Sequence, residues 1–83
     1  MTTKTIEVNW LATLVKWKTA IATFRLNMSE ISRESGVARQ HITSIVNEAS
    51  IPSIVVAERI DRAIDAAVDR RREAAKAFLE AAE

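Results

Sequence analysis

The sequence has 83 residues with one Gly, one Pro and no Cys, which is the size of a single domain. No Cys and only one His exclude a disulfide framework, thiolate zinc sites and multi-His metal sites, so we expect no cofactor. The first ten residues are polar and mixed in charge, without a long apolar run. We therefore expect no signal peptide and no membrane span, and a cytoplasmic location.

Charge is distributed unevenly along the chain although the net charge is only +1. Residues 1–47 carry six Lys or Arg against three Glu, whereas residues 48–83 carry six Lys or Arg against eight Asp or Glu. The basic first half permits an anionic partner such as nucleic acid. The balance excludes a strongly basic coat protein that binds nucleic acid without specificity.

Composition predicts an all-α domain, because 48% of the residues are hydrophobic and helix breakers are nearly absent. The first predicted helix covers about 8–24, and residues 1–7 are predicted to be an N-terminal extension. Apolar residues at steps of four and three mark its buried stripe. The stripe consists of Trp10, Leu14, Trp17, Ile21 and Phe24.

Two short helices are predicted next. Asn27 and Glu30 form a variant of the capping box, in which the Asn accepts from orphan amides and the Glu reaches back, so a second helix begins near residue 28. Gly36 suits the left-handed position that ends it near residue 35. A third helix of about ten residues follows Val37, with Ile42 on its apolar side and no acid on its polar face before residue 48.

Pro52 and Ser53 interrupt the pattern, and the Ser can cap a fourth helix that begins near residue 54. Its spacing allows one helix of more than 25 residues, or a core helix to about 69, a basic joint at 70–72 and a separate helix over 73–82. We accordingly predict a bundle of four or five helices, with a domain over 8–69 and a C-terminal helix over 70–83. Phe78 and Leu79 favour that last helix as a dimerisation seam over a tail packed on the core.

Residues 26–47, LNMSEISRESGVARQHITSIVN, resemble the helix-turn-helix of the phage Cro/repressor and xenobiotic-response-element family of regulators. The segment IPSIVVAERIDRAI is similar to the fourth helix of that family, which opens with Pro-Ser. The resemblance covers about residues 8–66 and implies a small lambda-repressor-like helical bundle that binds DNA.

The spacing also has a physical reason of its own. Four apolar residues must face inward to fix the crossing angle of the two helices, and the outer face of the third helix can then enter the major groove, where base edges are distinguishable. The inward residues are Ile31, Val37, Ile42 and Ile45. By position, the candidate base contacts are Arg39, Gln40, Thr43 and Ser44, with Arg39 suited to guanine and Gln40 to adenine.

Phosphate contacts are expected from the backbone amides near Met28 and Ser29 and from the Asn47 side chain, which matches the polar residue that the family has at this point. The sequence departs from the family pattern in three places. Met28 stands where Gln is usual, Ser32 where Ala is usual, and Ala38 where a Ser cap is usual. Ser32 should fit at the tight helix crossing if its hydroxyl bonds back to the preceding turn. Without the usual Ser cap, the third helix is expected to begin more weakly or one residue away.

These features favour a sequence-specific DNA-binding transcriptional regulator, a repressor of the type found in phages and mobile elements. It would bind a pseudo-palindromic operator in double-stranded DNA as a homodimer through the major groove. The alternative is a protein-interaction module, such as an antirepressor or inhibitor, that uses the C-terminal helix. We expect no enzyme, because the sequence has no nucleophile–His–acid set and no phosphate-binding loop.

Overall fold

Four helices make up residues 2–82, the part of the chain that the computed structural model describes, and this range contains no strand. They are α1 (Thr2–Phe24), α2 (Met28–Ser35), α3 (Arg39–Val46) and α4 (Ile54–Ala82). The all-α prediction is confirmed. None of the helices in this range is apolar over a length that would cross a bilayer.

Helix α1 is longer than predicted, and α4 follows the predicted alternative of a single long helix. Helix α1 begins at Thr2 and not near residue 8, and no Gly or Pro stands between Thr2 and the apolar stripe to end it there. Residues 2–7 of the predicted extension are therefore helical, and Met1 lies outside the described residues. Helix α4 is continuous over 29 residues, so the alternative with a joint at 70–72 is wrong. Arg is a good helix former and does not break a helix.

The ends of α2 and the start of α4 follow the predicted local signals. Asn27 Oδ1 accepts from the backbone N–H groups of Ser29 and Glu30 at 2.7 and 3.3 Å. Gly36 has φ 73°, and its N–H donates to the Ser32 carbonyl at 2.9 Å. Ser53 Oγ accepts from the Val56 N–H at 3.2 Å and caps α4. Helix α3 lacks a side-chain cap, as Ala38 implied, and has eight residues where we expected about ten.

Helices α1 and α3 end on left-handed residues that carry side chains. Arg25 has φ 52° and Glu48 has φ 65°. Each turn is closed by a backbone hydrogen bond across it, from Leu26 N–H to the Ile21 carbonyl at 3.0 Å and from Ala49 N–H to the Ser44 carbonyl at 2.8 Å. The left-handed region is unfavourable for a residue with a Cβ, so the chain is strained at both turns that lead away from these helices.

One apolar core joins all four helices. The residues predicted to face inward from α2 and α3 are buried, which confirms that prediction. Trp17 is fully buried in α1, and Trp10 meets its ring edge to face at 5.4 Å between centroids. The largest fully buried side chains are Trp17, Ile31, Ile42, Ile45, Ile60 and Ile64. Helices α1 and α4 run in the same direction, since Trp17 meets Asp61 and Phe24 meets Arg72.

Candidate nucleic-acid interface

Helix α3 turns one uncharged polar face outward. Its Ile42 and Ile45 are fully buried, so the residues on the opposite side of the helix point to solvent. Gln40, Thr43 and Asn47 are exposed and follow one another at steps of three and four, which makes them one stripe. On the two sides of this stripe lie Arg39, which is exposed, and Ser44, which is half-buried.

Arg39 connects the starts of α2 and α3. Its Nη1 donates to Ser29 Oγ at 3.1 Å, in an exposed position. Arg39, which was predicted to contact bases, therefore lies beside Ser29, which was predicted to contact phosphate. A single exposed hydrogen bond to a neutral hydroxyl contributes only about 1 kcal/mol. The guanidinium can therefore exchange Ser29 for another acceptor at small cost.

Thr43 already uses its hydroxyl hydrogen inside the helix. Thr43 Oγ1 donates to the Arg39 carbonyl oxygen at 3.0 Å, one turn earlier in α3. The Thr43 side chain therefore presents outward only its methyl group and the acceptor lone pairs of Oγ1. On a DNA surface such a side chain suits a donor or a thymine methyl group.

The predicted phosphate contacts do not form one group. The Ser29 N–H donates to Asn27 Oδ1 at 2.7 Å, so the cap already satisfies this amide, and the Met28 side chain is half-buried against the core. The Ser29 hydroxyl, not its amide, is the polar group that meets Arg39. Asn47 lies on the same stripe as Gln40 and so belongs spatially with the candidate base contacts.

Two serines fasten the turn between α2 and α3. Ser32 Oγ donates to the Val37 carbonyl at 2.6 Å, and Ser35 Oγ accepts from the Val37 N–H at 3.1 Å. The expectation that Ser32 bonds back to the preceding turn is therefore wrong, since its hydroxyl reaches forward to the turn. Sequence reasoning missed Ser35 altogether, although its place directly before Gly36 made a turn contact possible. Both bonds hold the entry to α3 in position relative to α2.

An ion cluster clamps α2 to α4. Glu30 accepts from Arg70 at 2.7 Å and from Arg71 at 2.9 Å, and Arg70 also pairs with Glu34. The hydrogen bonds from Arg70 and Arg71 hold the pKa of Glu30 below its ordinary value, against the opposing effect of burial. The clamp ties the outer side of α2 to α4.

The clamp corrects two predictions. Glu30 does not reach back to its own cap, because its carboxylate lies between the two guanidinium groups of α4. The basic run at 70–72, predicted as a joint in one of the two alternatives, is instead packed on the bundle: two of its members are bound to α2, and Arg72 lies 5.5 Å from the centre of the Phe24 ring. No signal in the sequence connects Glu30 to partners 40 and 41 residues away.

Two of the basic residues of α1 are also paired. Lys18 contacts Glu48 at 3.1 Å, just after the end of α3. Lys16 contacts Asp61 at 3.0 Å and Asp65 at 3.3 Å, and the hydrogen bond to Asp61 is the main cause of its raised pKa. Both pairs are exposed, and such pairs contribute little and exchange readily. The carboxylate that follows α3 in the chain, Glu48, is thus paired with a cation of α1.

No family model, curated protein or solved structure matches this chain. The feature of the molecule that bears on function is the arrangement of α2 and α3. That arrangement is a short helix held rigidly by its neighbours, with an outer face of amide and hydroxyl groups and a guanidinium at its start. The amide, hydroxyl and guanidinium groups of this face can donate and accept hydrogen bonds.

Proposed function

We propose that the protein is a sequence-specific DNA-binding transcriptional regulator. In this proposal α2, the connection over 36–38 and α3 form a helix-turn-helix of the Cro/repressor type, and α3 enters the major groove. The supporting observation is the outward stripe of Gln40, Thr43 and Asn47 beside Arg39, on a helix whose other side is fully buried. A rigid helix with such a face fits the width of the major groove of B-DNA.

Each side chain has a defined chemical task in the groove. Arg39 can donate two bonds to the O6 and N7 atoms of a guanine, and Gln40 can both donate to and accept from an adenine. Thr43 presents its methyl group and an acceptor, while the Ser44 hydroxyl can serve as donor or acceptor. A good bidentate pair contributes about 1–3 kcal/mol to discrimination between bases.

The regulator acts as a homodimer in this proposal. One copy of α3 offers too few contacts for tight binding, and a two-fold axis places a second copy in the next major groove, about 34 Å away. The operator is then pseudo-palindromic. Bound across a promoter, such a dimer represses by excluding the polymerase, and its concentration sets the degree of control, as in Cro-like regulators of phages and mobile elements.

The experiment that tests this function starts from a random pool of DNA duplexes, from which the protein selects its own binding sequence. Affinity for the selected duplex is then measured by fluorescence anisotropy at two salt concentrations, with random DNA as competitor. The double variant Arg39→Ala, Gln40→Ala should lose roughly 100-fold in affinity. The matched control is His41→Ala, because His41 is an exposed α3 residue on the flank away from Arg39 and should change the affinity little.

A second candidate function, a protein-interaction module, is favoured by one observation. Phe78 and Leu79 are 74% and 65% exposed at the end of α4. Truncation after Glu73 removes both residues and keeps Arg70 and Arg71 on Glu30, whereas truncation after Asp69 would also destroy the clamp. If the random pool yields no preferred duplex, and the truncation after Glu73 abolishes the effect of the protein in cells, the protein-interaction module replaces the DNA-binding proposal.

A further inference from the structure

The side chains of Ser29 and Arg39 meet where the start of α2 lies beside the start of α3. Arg39 Nη1 donates to Ser29 Oγ at 3.1 Å, across ten positions of the chain, and both residues are exposed. Among the residues that the structure describes, no carboxylate pairs with Arg39, and no other side chain accepts a hydrogen bond from its guanidinium. The Ser29 hydroxyl therefore decides where the guanidinium lies in the free protein.

This hydroxyl is an acceptor held in a fixed place. The Ser29 N–H donates to the Asn27 cap at 2.7 Å, and this bond holds Ser29 in the first turn of α2. The turn that follows α2 is tied to it through both backbone polar groups of Val37. Arg39, by contrast, has a long side chain with many rotamers, and a bond to a fixed acceptor selects among them. Ser29 thereby restricts the conformation of Arg39 before a partner is bound.

The bond to Ser29 leaves one recognition edge of the guanidinium free. The group carries its N–H donors in one plane, and Ser29 takes a single one, on Nη1. Nη2 and Nε lie along another edge of this plane and can still donate two parallel bonds. A guanine offers O6 and N7 as acceptors for such a pair. Arg39 can thus read a guanine without releasing Ser29, and the planar group carries the direction set by Ser29 over to its free edge.

We propose that Ser29 is a positioning residue for base recognition, which holds Arg39 with its Nη2 and Nε edge free for a guanine. The inference rests on the proposed function and deepens it, because it gives a residue of α2 a share in sequence specificity. Rotamer freedom that Arg39 has lost in the free protein is not lost again on binding, so the held side chain binds more tightly. The gain applies only to a duplex that carries the base read by Arg39.

The test measures affinities by fluorescence anisotropy on two duplexes. One is the selected duplex, and in the other the base whose preference is lost in Arg39→Ala is exchanged. Ser29→Ala should weaken binding to the selected duplex roughly fivefold, the equivalent of one exposed hydrogen bond, and should change binding to the exchanged duplex little. Ser29→Thr keeps the hydroxyl and should keep most of the affinity. Ala is a good helix former and leaves the Asn27 cap in place, so Ser29→Ala should retain the wild-type fold.

A double-mutant cycle separates positioning from a merely structural role. In the Arg39→Ala background, Ser29→Ala should have no further effect on affinity, because the group that Ser29 positions is gone. The matched control is the Gln40→Ala background, in which the loss of roughly fivefold should persist. Gln40 is the exposed neighbour of Arg39 in α3 and does not bond to Ser29.

A second measurement needs no DNA. Nitrogen relaxation by NMR should show the Arg39 Nε–H group more ordered than that of Arg62, an exposed residue of α4, and Ser29→Ala should lower its order to that of Arg62. An Arg39 as disordered as Arg62 in the wild type, or a Ser29→Ala loss that persists in the Arg39→Ala background, would overturn the positioning role and leave the proposed function standing. If no duplex is selected from the random pool, the proposed function fails, and this inference fails with it.

Discussion

The hydrogen bond between Trp17 and Asp61 offers a quantitative test of how α1 is held on α4. Trp17 is fully buried, and its Nε1 donates to Asp61 Oδ1 at 2.8 Å, while Lys16 Nζ reaches the same oxygen at 3.0 Å. Asp61→Leu would leave the indole N–H without an acceptor inside the protein. Asp61→Asn would keep an acceptor oxygen and lose only the charge.

The expected magnitude follows from these contacts. A hydrogen bond to a charged group contributes about 1.5–3 kcal/mol, but the Asp61 side chain is 35% exposed, so the lower part of that range applies. The exposed Lys16 pair adds at most about 1 kcal/mol. We therefore expect Asp61→Leu to lower the free energy of unfolding by about 2 kcal/mol and Asp61→Asn to lower it by less than about 1 kcal/mol.

Urea denaturation followed by circular dichroism measures both variants, and Trp17→Phe completes a double-mutant cycle with Asp61→Leu. The cycle should give a coupling energy of about 1–2 kcal/mol. A coupling near zero, or an Asp61→Leu variant as stable as the wild type, would refute the interpretation that this bond holds α1 in place.

The same bond predicts a dependence on pH. Burial alone raises the pKa of Asp61, but the hydrogen bonds from Trp17 and Lys16 together outweigh burial, so the folded pKa is below the ordinary value. A carboxyl with a lowered folded pKa stabilises the protein above its unfolded pKa, about 3.9, and this contribution is lost as the pH falls through the folded value. The difference in stability between wild type and Asp61→Asn should therefore shrink as the pH falls below about 3.9 and disappear only once the pH has fallen through the lowered folded value.

Further substitutions test the helix ends and the clamp, each by urea denaturation. Gly36→Ala should lower the free energy of unfolding by about 1 kcal/mol. The backbone angle φ of 73° is the only cause, because an added Cβ meets no atom within 4 Å. An unchanged urea midpoint would contradict this. Arg25→Gly should stabilise by about 0.5–1 kcal/mol by relieving φ 52°, so a loss of stability would argue against strain there. Asn27→Ala should cost about 1 kcal/mol as a lost cap, and no cost would mean that the amides find other partners. Glu30→Gln should lower the free energy of unfolding at pH 7. The difference from the wild type should vanish as the pH falls below the unfolded pKa of about 4.3 and through the lowered folded pKa of Glu30. A difference that stays constant with pH would exclude a clamp held by the ionised carboxylate.

Local signals predicted the part of the fold that holds the candidate site. Asn27, Gly36 and Ser53 act within three or four residues of themselves, so their sequence context is enough to place the helix ends. The inward positions of Ile42 and Ile45 follow from helical periodicity, and with them the outward stripe of α3. These effects need no knowledge of the tertiary structure.

Features that depend on distant partners could not be predicted. The clamp joins residues 40 and 41 positions apart, and its partners become neighbours only when α4 has packed on α2. Arg25 and Glu48 adopt left-handed conformations although neither is Gly, because packing of the next segment decides where these helices end. The first helix extends to Thr2, whereas the apolar stripe from which it was predicted begins only at Trp10.

The structure groups the predicted site residues differently from the sequence. Arg39, Gln40, Thr43 and Ser44 do lie on or beside the outer face of α3, but Asn47 lies with them. The Ser29 N–H donates to the capping Asn27 side chain. A sequence pattern for helix N-termini cannot distinguish such a satisfied amide from one that is open to an anion. How these side chains meet DNA stays a prediction.

The most direct test of the central claim is the ratio of affinities for the selected duplex and for the same duplex with its bases scrambled, measured at physiological salt. A sequence-specific regulator should prefer the selected duplex by a factor on the order of 10³ or more, and Arg39→Ala should reduce that ratio while leaving the weak binding to scrambled DNA nearly unchanged. Equal affinity for the two duplexes, or a ratio that Arg39→Ala does not alter, would contradict the proposal that α3 reads bases.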